Sequence, residues 1–337
     1  MECPISGIVG AQESPYLCTV KQIKRKKMKR IAFTIALFLS LGLSSIWAEE
    51  NNTHNNVRTI KAPRFARPLV EKWIEEYAKT EPGVEFQIVK GSGNQENIDL
   101  NVEFDNQDKK DTKAFSHIVY FGETAVLPIT ARSSEAARLL EGKHLNAKKL
   151  KQLFFLNDDF DEDVKKIKAF ENIIIYSGSN ASSVASSFAH NFGEESSSFR
   201  GKRIAGDDLF LNTAIAKDPL GVTFNTLSNI FDLQSRHLKS DLSLVGLDLK
   251  KELESSFSDN GTLDDVLTIL ENGKPAEITI EKVAIMFNST DEAVNRFLCW
   301  VLEHGTQYNH QFGLLNLDQK VAKAQISQVT NTLTALK

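Results

Sequence analysis

From Val57 onward, apolar runs of strand length alternate with amphipathic runs of helix length, and this alternation limits the fold more than any other feature. It begins with "VRTIKAPRFARPLVEKWIEEYAKTEPGVEFQIVKGSG". That stretch reads as a short strand, a loop, a helix with Leu69, Val70, Trp73, Ile74 and Tyr77 on one face, a Pro-Gly turn and an alternating strand. "HIVYFGETAVLPIT" is an apolar strand, "NAKKLKQLFF" a short amphipathic helix, and "IIIYSGSNASSVASSFAHNFG" a strand, polar turn and helix. "DLFLNTAIAKDPLGVTFNT" gives helix, turn and strand. "EITIEKVAIMFN" is a strand, "TDEAVNRFLCWVLEHGTQYNHQFG" a helix, and a last helix follows Leu317. Strands and helices in alternation predict an α/β fold with mostly parallel sheets, because parallel neighbours need crossover connections that helices supply. No internal repeat or low-complexity tract interrupts the pattern.

The N-terminal segment has a different character. "MKRIAFTIALFLSLGLSSIWAEE" places Lys29 and Arg30 before an apolar run that ends at Ala48, the layout of a secretory signal cleaved after a small residue. The competing reading is a membrane anchor, whose apolar core would be short for a span of about 20 residues. Residues 1–27 then form an upstream extension, with Met1 and Met28 both open as the start, and residues 49–56 are a polar leader. The remaining 289 of 337 residues suffice for two domains or one large one. Removing residues 1–48 takes away seven of the 40 basic and two of the 44 acidic residues, leaving a formal charge of −9. An acidic chain lacks the basic footprint that nucleic acid requires. Of Cys3, Cys18 and Cys299, only Cys299 survives cleavage, so no intramolecular disulfide forms. No lipobox cysteine ends the signal. Together these features predict a periplasmic or secreted protein.

The order of the pieces resembles the phosphate-binding component of phosphate ABC transporters, a branch of the type 2 periplasmic binding proteins. "FARPLVEKWIEEY" looks like the first helix of that family, "PGVEFQIVKGSG" like its next strand and Gly-Ser-Gly turn, and "LNAKKLKQLFF" like an element of its second lobe. "DPLGVTFNTLSNI" resembles the strand by which the chain returns to the first lobe. "VNRFLCWVLEHGTQYNHQFGLLNL" resembles the closing segment. The resemblance spans most of residues 57–325. It implies two α/β lobes with a ligand cleft between them, residues 57–125 and 228–337 forming lobe I and 126–227 lobe II. It also implies a monomer that hands a small anion, phosphate in this family, to a membrane transport complex.

The same resemblance assigns candidate ligand residues, each with a plainer reading beside it. Arg64 stands where the family has a small hydroxyl residue, followed by the aromatic Phe65. Arg64 supplies the cleft with positive charge or is an ordinary loop arginine. Ser92, in "KGSG", donates to a ligand or sits in a turn. Glu103 is in register with a carboxylate that accepts the ligand's proton, or is a surface glutamate. Asn180, Ala181 and Ser182 occupy the family's Ser-Gly-Thr at a helix start, where free backbone N–H groups and the dipole favour anions. The family has an arginine separated from that triplet by three residues, and here Tyr176 takes its place. Loss of an arginine–phosphate pair weakens a phosphate site, since charge-assisted bonds contribute about 1.5–3 kcal/mol each.

Catalytic and metal motifs are scarce. There is no G-x-S-x-G elbow, no H-E-x-x-H and no cysteine pair for zinc. "NDDFDED" (157–163) lacks the glycine and closing glutamate of a calcium loop and reads as a solvated acidic turn. These observations predict a binding protein with no cofactor, no metal and no catalysis. The alternative is a binding-protein fold whose cleft has degenerated and which serves as an interaction module in the cell envelope.

Overall fold

A computed structural model describes residues 57–89, 98–105, 115–156, 167–179, 183–288 and 291–335. The signal segment and the polar leader lie outside these residues. The strands are β1 (Val57–Lys61), β2 (Glu85–Ile88), β3 (Leu100–Phe104), β4 (His117–Ala131), β5 (Ile174–Gly178), β6 (Lys202–Ile204), β7 (Gly221–Thr226), β8 (Leu242–Leu244) and β9 (Thr279–Phe287). The helices are α1 (Arg67–Thr80), α2 (Glu135–Leu140), α3 (Ala147–Phe154), α4 (Ser183–Asn191), α5 (Leu209–Lys217), α6 (Leu227–Ile230), α7 (Lys251–Glu254), α8 (Leu263–Asn272), α9 (Glu292–Glu303) and α10 (Gln319–Ala335). Helix starts follow local chemistry. Asn146, Ser134, Thr262 and Asp291 each accept a backbone N–H with their side chains at an N-cap.

One sheet joins these strands, and it contains the same topology twice. Its first half runs β2-β1-β3-β9-β4 and its second β6-β5-β7-β4-β8. In each half three parallel strands are followed by a fourth that is antiparallel to both of its neighbours. The sequence shows no repeat because only pairing order recurs. The 15-residue β4 belongs to both halves: His117 to Val126 pairs with β9, and Val126 to Ala131 with β7, where Val126 faces both Thr279 and Thr226. β8 is hydrogen-bonded to the far end of β4, so residues 242–244 lie with the second half although they fall within 228–337.

The pairing also explains why parallel strands occupy the flanks and antiparallel ones the centre. β4 leaves the first half at the C-terminal ends of its parallel strands and enters the second half from the matching side, so it must oppose β7. β9 brings the chain back the same way and opposes β3, with Val283 beside Phe104. The C-terminal ends of the parallel strands in both halves therefore face one seam. In α/β sheets, ligand sites form in such crevices.

Each half has its own aromatic core. In the first, Trp73 and Phe121 meet edge to face at 4.8 Å, and Tyr77, Phe86 and Phe297 continue the cluster. Trp73 is fully buried and its indole N–H donates to the Gly305 carbonyl at 2.9 Å, so the one polar atom of the ring is satisfied. In the second half Phe188 of α4 stacks on Phe224 of β7 at 4.2 Å, among Phe154, Phe155, Phe192 and Phe199.

Candidate functional site

The seam is built from the loops that follow β1 and β6, from the end of β7 and from helix α4. After β1 the chain turns at residues 63–66, where Ala66 and Arg67 N–H groups donate to the Pro63 carbonyl at 3.1 and 3.0 Å. Phe65 is only 8% exposed and stacks on Phe104 at 4.6 Å with the rings 7° from parallel, so it anchors this turn to the end of β3. Arg64 projects from the same turn and is exposed. Its Nη1 lies 3.8 Å from Oδ2 of Asp207, in the loop after β6, so the two halves present opposite charges to each other here.

Asp207 is held from below. Its Oδ1 accepts the Leu209 N–H at 2.9 Å and shapes the start of α5. The neighbouring Asp208 carbonyl accepts from Asn225 Nδ2 at 2.8 Å. Asn225, at the end of β7, also donates to Asn212 Oδ1 at 2.9 Å and accepts from the Thr226 N–H at 2.9 Å and Asn229 Nδ2 at 2.8 Å. Asn225 is fully buried, and this network satisfies its side chain while fixing the 205–208 loop. The pattern N-T-L-S-N (225–229) was visible in the sequence, but nothing in it pointed to the loop that it would hold.

Helix α4 follows in sequence the polar residues 180–182, to which the resemblance assigns an anion and which lie outside the described residues. Val184 to Ala189 are all buried. One side of the helix enters the phenylalanine cluster of the second half, and the other packs on β9 and β3 of the first. Asn191 Nδ2 donates to the Ala276 carbonyl at 3.2 Å. The run of small residues, Ala185, Ser186, Ser187 and Ala189, lets α4 fit between two sheet halves. Opposite it on β9 stands Glu281, whose carboxyl burial pushes above the usual range, with Asp105 adding to the rise.

Tyr176 is engaged elsewhere. Its ring is buried, and its hydroxyl donates to Asp218 Oδ2 at 2.7 Å and accepts from Lys202 Nζ at 3.1 Å. Asp218 lies in the turn that enters β7, so the hydroxyl is tied toward the N-terminal end of that strand, away from the seam. Burial acts against the Asp218 carboxylate, but the bonds from Tyr176, the Leu220 N–H and Lys202 together hold it below its ordinary range. Arg200 does not replace the missing arginine. It donates to the carbonyls of Leu153 and Phe170, and burial lowers its pKa. Glu103 is half-buried on β3. Ser92, Asn180, Ala181 and Ser182 lie outside the described residues, as does "NDDFDED". Of the candidate residues, the structure places Arg64 and Phe65 at the seam and adds Asp207, which sequence reasoning missed.

This geometry gives a stability prediction. Tyr176→Phe removes the hydroxyl between Asp218 and Lys202 and lowers stability at pH 7 by about 1 kcal/mol. Because the folded-state pKa of Asp218 is depressed, the stability it contributes is present above the ordinary carboxylate value of about 4 and is lost as pH falls through the folded value. Urea melts of both proteins at pH 7 and pH 3 test this: the gap between them narrows in acid.

Among the described residues no group of three or more His, Cys, Asp or Glu is placed to hold a metal, and no helix is long and apolar enough to cross a membrane. Cys299 is a free, half-buried thiol whose pKa burial raises. His310 is bonded to Glu271 at 2.6 Å.

No protein-family model matches the chain, and no curated protein matches it significantly. Solved structures do. A substrate-binding protein from Clostridium perfringens, provisionally assigned to phosphate ABC transport and crystallised with phosphate, superposes with a TM-score of 0.54 at 12% identity, covering 78% of this chain and all of its own. The fold is that of the two-lobed periplasmic binding proteins. An ABC-type phosphate transport receptor from Vibrio cholerae gives a TM-score of 0.50 at 11% identity, covering 77% of this chain and all of its own. The duplicated strand order and the shared strand β4 are this chain's version of that architecture.

Proposed function

We propose that this protein is a non-catalytic, periplasmic solute-binding protein that captures a small anion-bearing solute in the seam between its halves and presents it to a membrane transport complex. The observation that carries the reading is Arg64, an exposed guanidinium held on a fixed turn where the C-terminal ends of both sets of parallel strands converge. Phosphate is the solute that the resemblance suggests, with Ser92, Glu103 and the 180–182 turn as further contacts and Phe65 as the anchor of the Arg64 turn. The structural neighbours described as phosphate-binding support the choice of anions to test. Closure of the two lobes, 57–125 with 228–337 and 126–227, would desolvate the bound group.

Isothermal titration calorimetry against phosphate, sulfate and small carboxylates tests the proposal. Binding is expected for at least one anion-bearing solute and is lost in Arg64→Ala. An absence of heat across every class leaves the alternative, an interaction module in the cell envelope. One observation favours that second reading: α4 is buried on both sides, as in a seam already filled by protein.

A further inference from the structure

The charges at the seam are of both signs, and this narrows the ligand. Arg64 and Asp207 face each other from opposite halves, each on a backbone that its own half has fixed. Phe65 stacking and the Pro63 turn hold Arg64, while the Leu209 cap and the Asn225 network hold Asp207. Yet the gap of 3.8 Å between Nη1 and Oδ2 is too long for a hydrogen bond. Both groups keep hydrogen-bonding capacity: Arg64 is 57% exposed in its side chain and Asp207 27%. In the first turn of α5, Phe210, whose N–H donates to the Asp207 carbonyl, is 49% exposed, a large apolar surface beside Asp207. Its ring lies against Gly206, whose φ of +104° is a conformation that strains any residue with a side chain.

A phosphate dianion drawn to Arg64 would meet the Asp207 carboxylate, with no arginine from Tyr176's position to offset the repulsion. A solute that carries a carboxylate and an ammonium a few ångströms apart would satisfy both side chains, and an apolar substituent on it would cover the Phe210 ring. We infer that the ligand is a zwitterion of the α-amino-acid type with an apolar side chain, its carboxylate on Arg64, its ammonium on Asp207 and its side chain against Phe210. This inference rests on the solute-binding reading above and specifies its ligand.

The test is calorimetry on the full chain with L-leucine and L-phenylalanine, alongside N-acetyl-L-leucine, which lacks the cation, leucine amide, which lacks the carboxylate, and inorganic phosphate. The expected result is saturable binding of a free amino acid, weakened at least tenfold for both blocked analogues and in both Arg64→Gln and Asp207→Asn. Circular dichroism and thermal melts establish that each variant is folded, and Asp207→Asn retains the oxygen that caps α5. Binding of amino acid that is insensitive to blocking or to either substitution overturns the inference. Binding of phosphate with no response to the amino acids overturns it while leaving the solute-binding reading intact. Absence of heat with every ligand, phosphate included, defeats both.

Discussion

Phe188→Ala lowers the stability of the protein by about 3–5 kcal/mol, the range for deleting a fully buried aromatic side chain. Its ring has no exposure and meets Phe224 face to face at 4.2 Å, Phe154 at 4.8 Å and Phe192 at 5.1 Å, contacts that add to the area term. The effect is large because α4 cannot collapse into the space. Its opposite side is already in contact with β9 and β3, so a shift toward the cavity would open the seam. In a chain of this size the loss corresponds to a fall in Tm on the order of 10 °C, read by differential scanning calorimetry. Phe210→Ala, with half its ring already in water, is the matched control and costs less than about 1 kcal/mol. Equal effects of the two substitutions would mean that α4 does not wedge between the halves.

That contrast also marks what the sequence could disclose. The largely apolar run 117–130 read as a strand, and β4 is one, buried along most of its length. The period of "NRFLCWVLEHG" foretold α9, and the small hydroxyl residues of "NASSVASSF" identified a helix start. Periodicity reports which face of an element is buried and says nothing of which strand lies beside it. That β4 serves both halves, or that three residues at 242–244 form an edge strand, depends on pairings more than 100 residues apart. The site was legible in the same partial way. Arg64 stood out because it replaced a hydroxyl residue in a recognisable loop, whereas its partner Asp207, 143 positions later, had no local mark. Tyr176 was read as a lost charge at the cleft. In the structure the phenol has its own partners, Asp218 and Lys202.

Asn225→Ala destabilises the protein by about 3 kcal/mol, more than a single hydrogen bond would suggest, because it strands several buried groups at once. The Thr226 N–H and Asn229 Nδ2 lose their shared acceptor, and the Asp208 carbonyl loses the bond from Asn225, all where water does not reach Asn225 itself. Asn212→Ala provides the comparison. It removes one acceptor for Asn225 and one donor to the Asn229 carbonyl from a less buried position, and costs about 1 kcal/mol. The two substitutions should also differ in where the damage appears. With its anchor to Asp208 gone, the 205–208 loop no longer holds Asp207 opposite Arg64. Hydrogen exchange in Asn225→Ala should therefore quicken at the amides of residues 207–209 well before it does in the aromatic core around Trp73. A uniform rise in exchange across the chain would instead make the asparagine cluster a general support of the sheet. In that case it would not be the device that fixes one charge of the seam while the turn at Phe65 fixes the other.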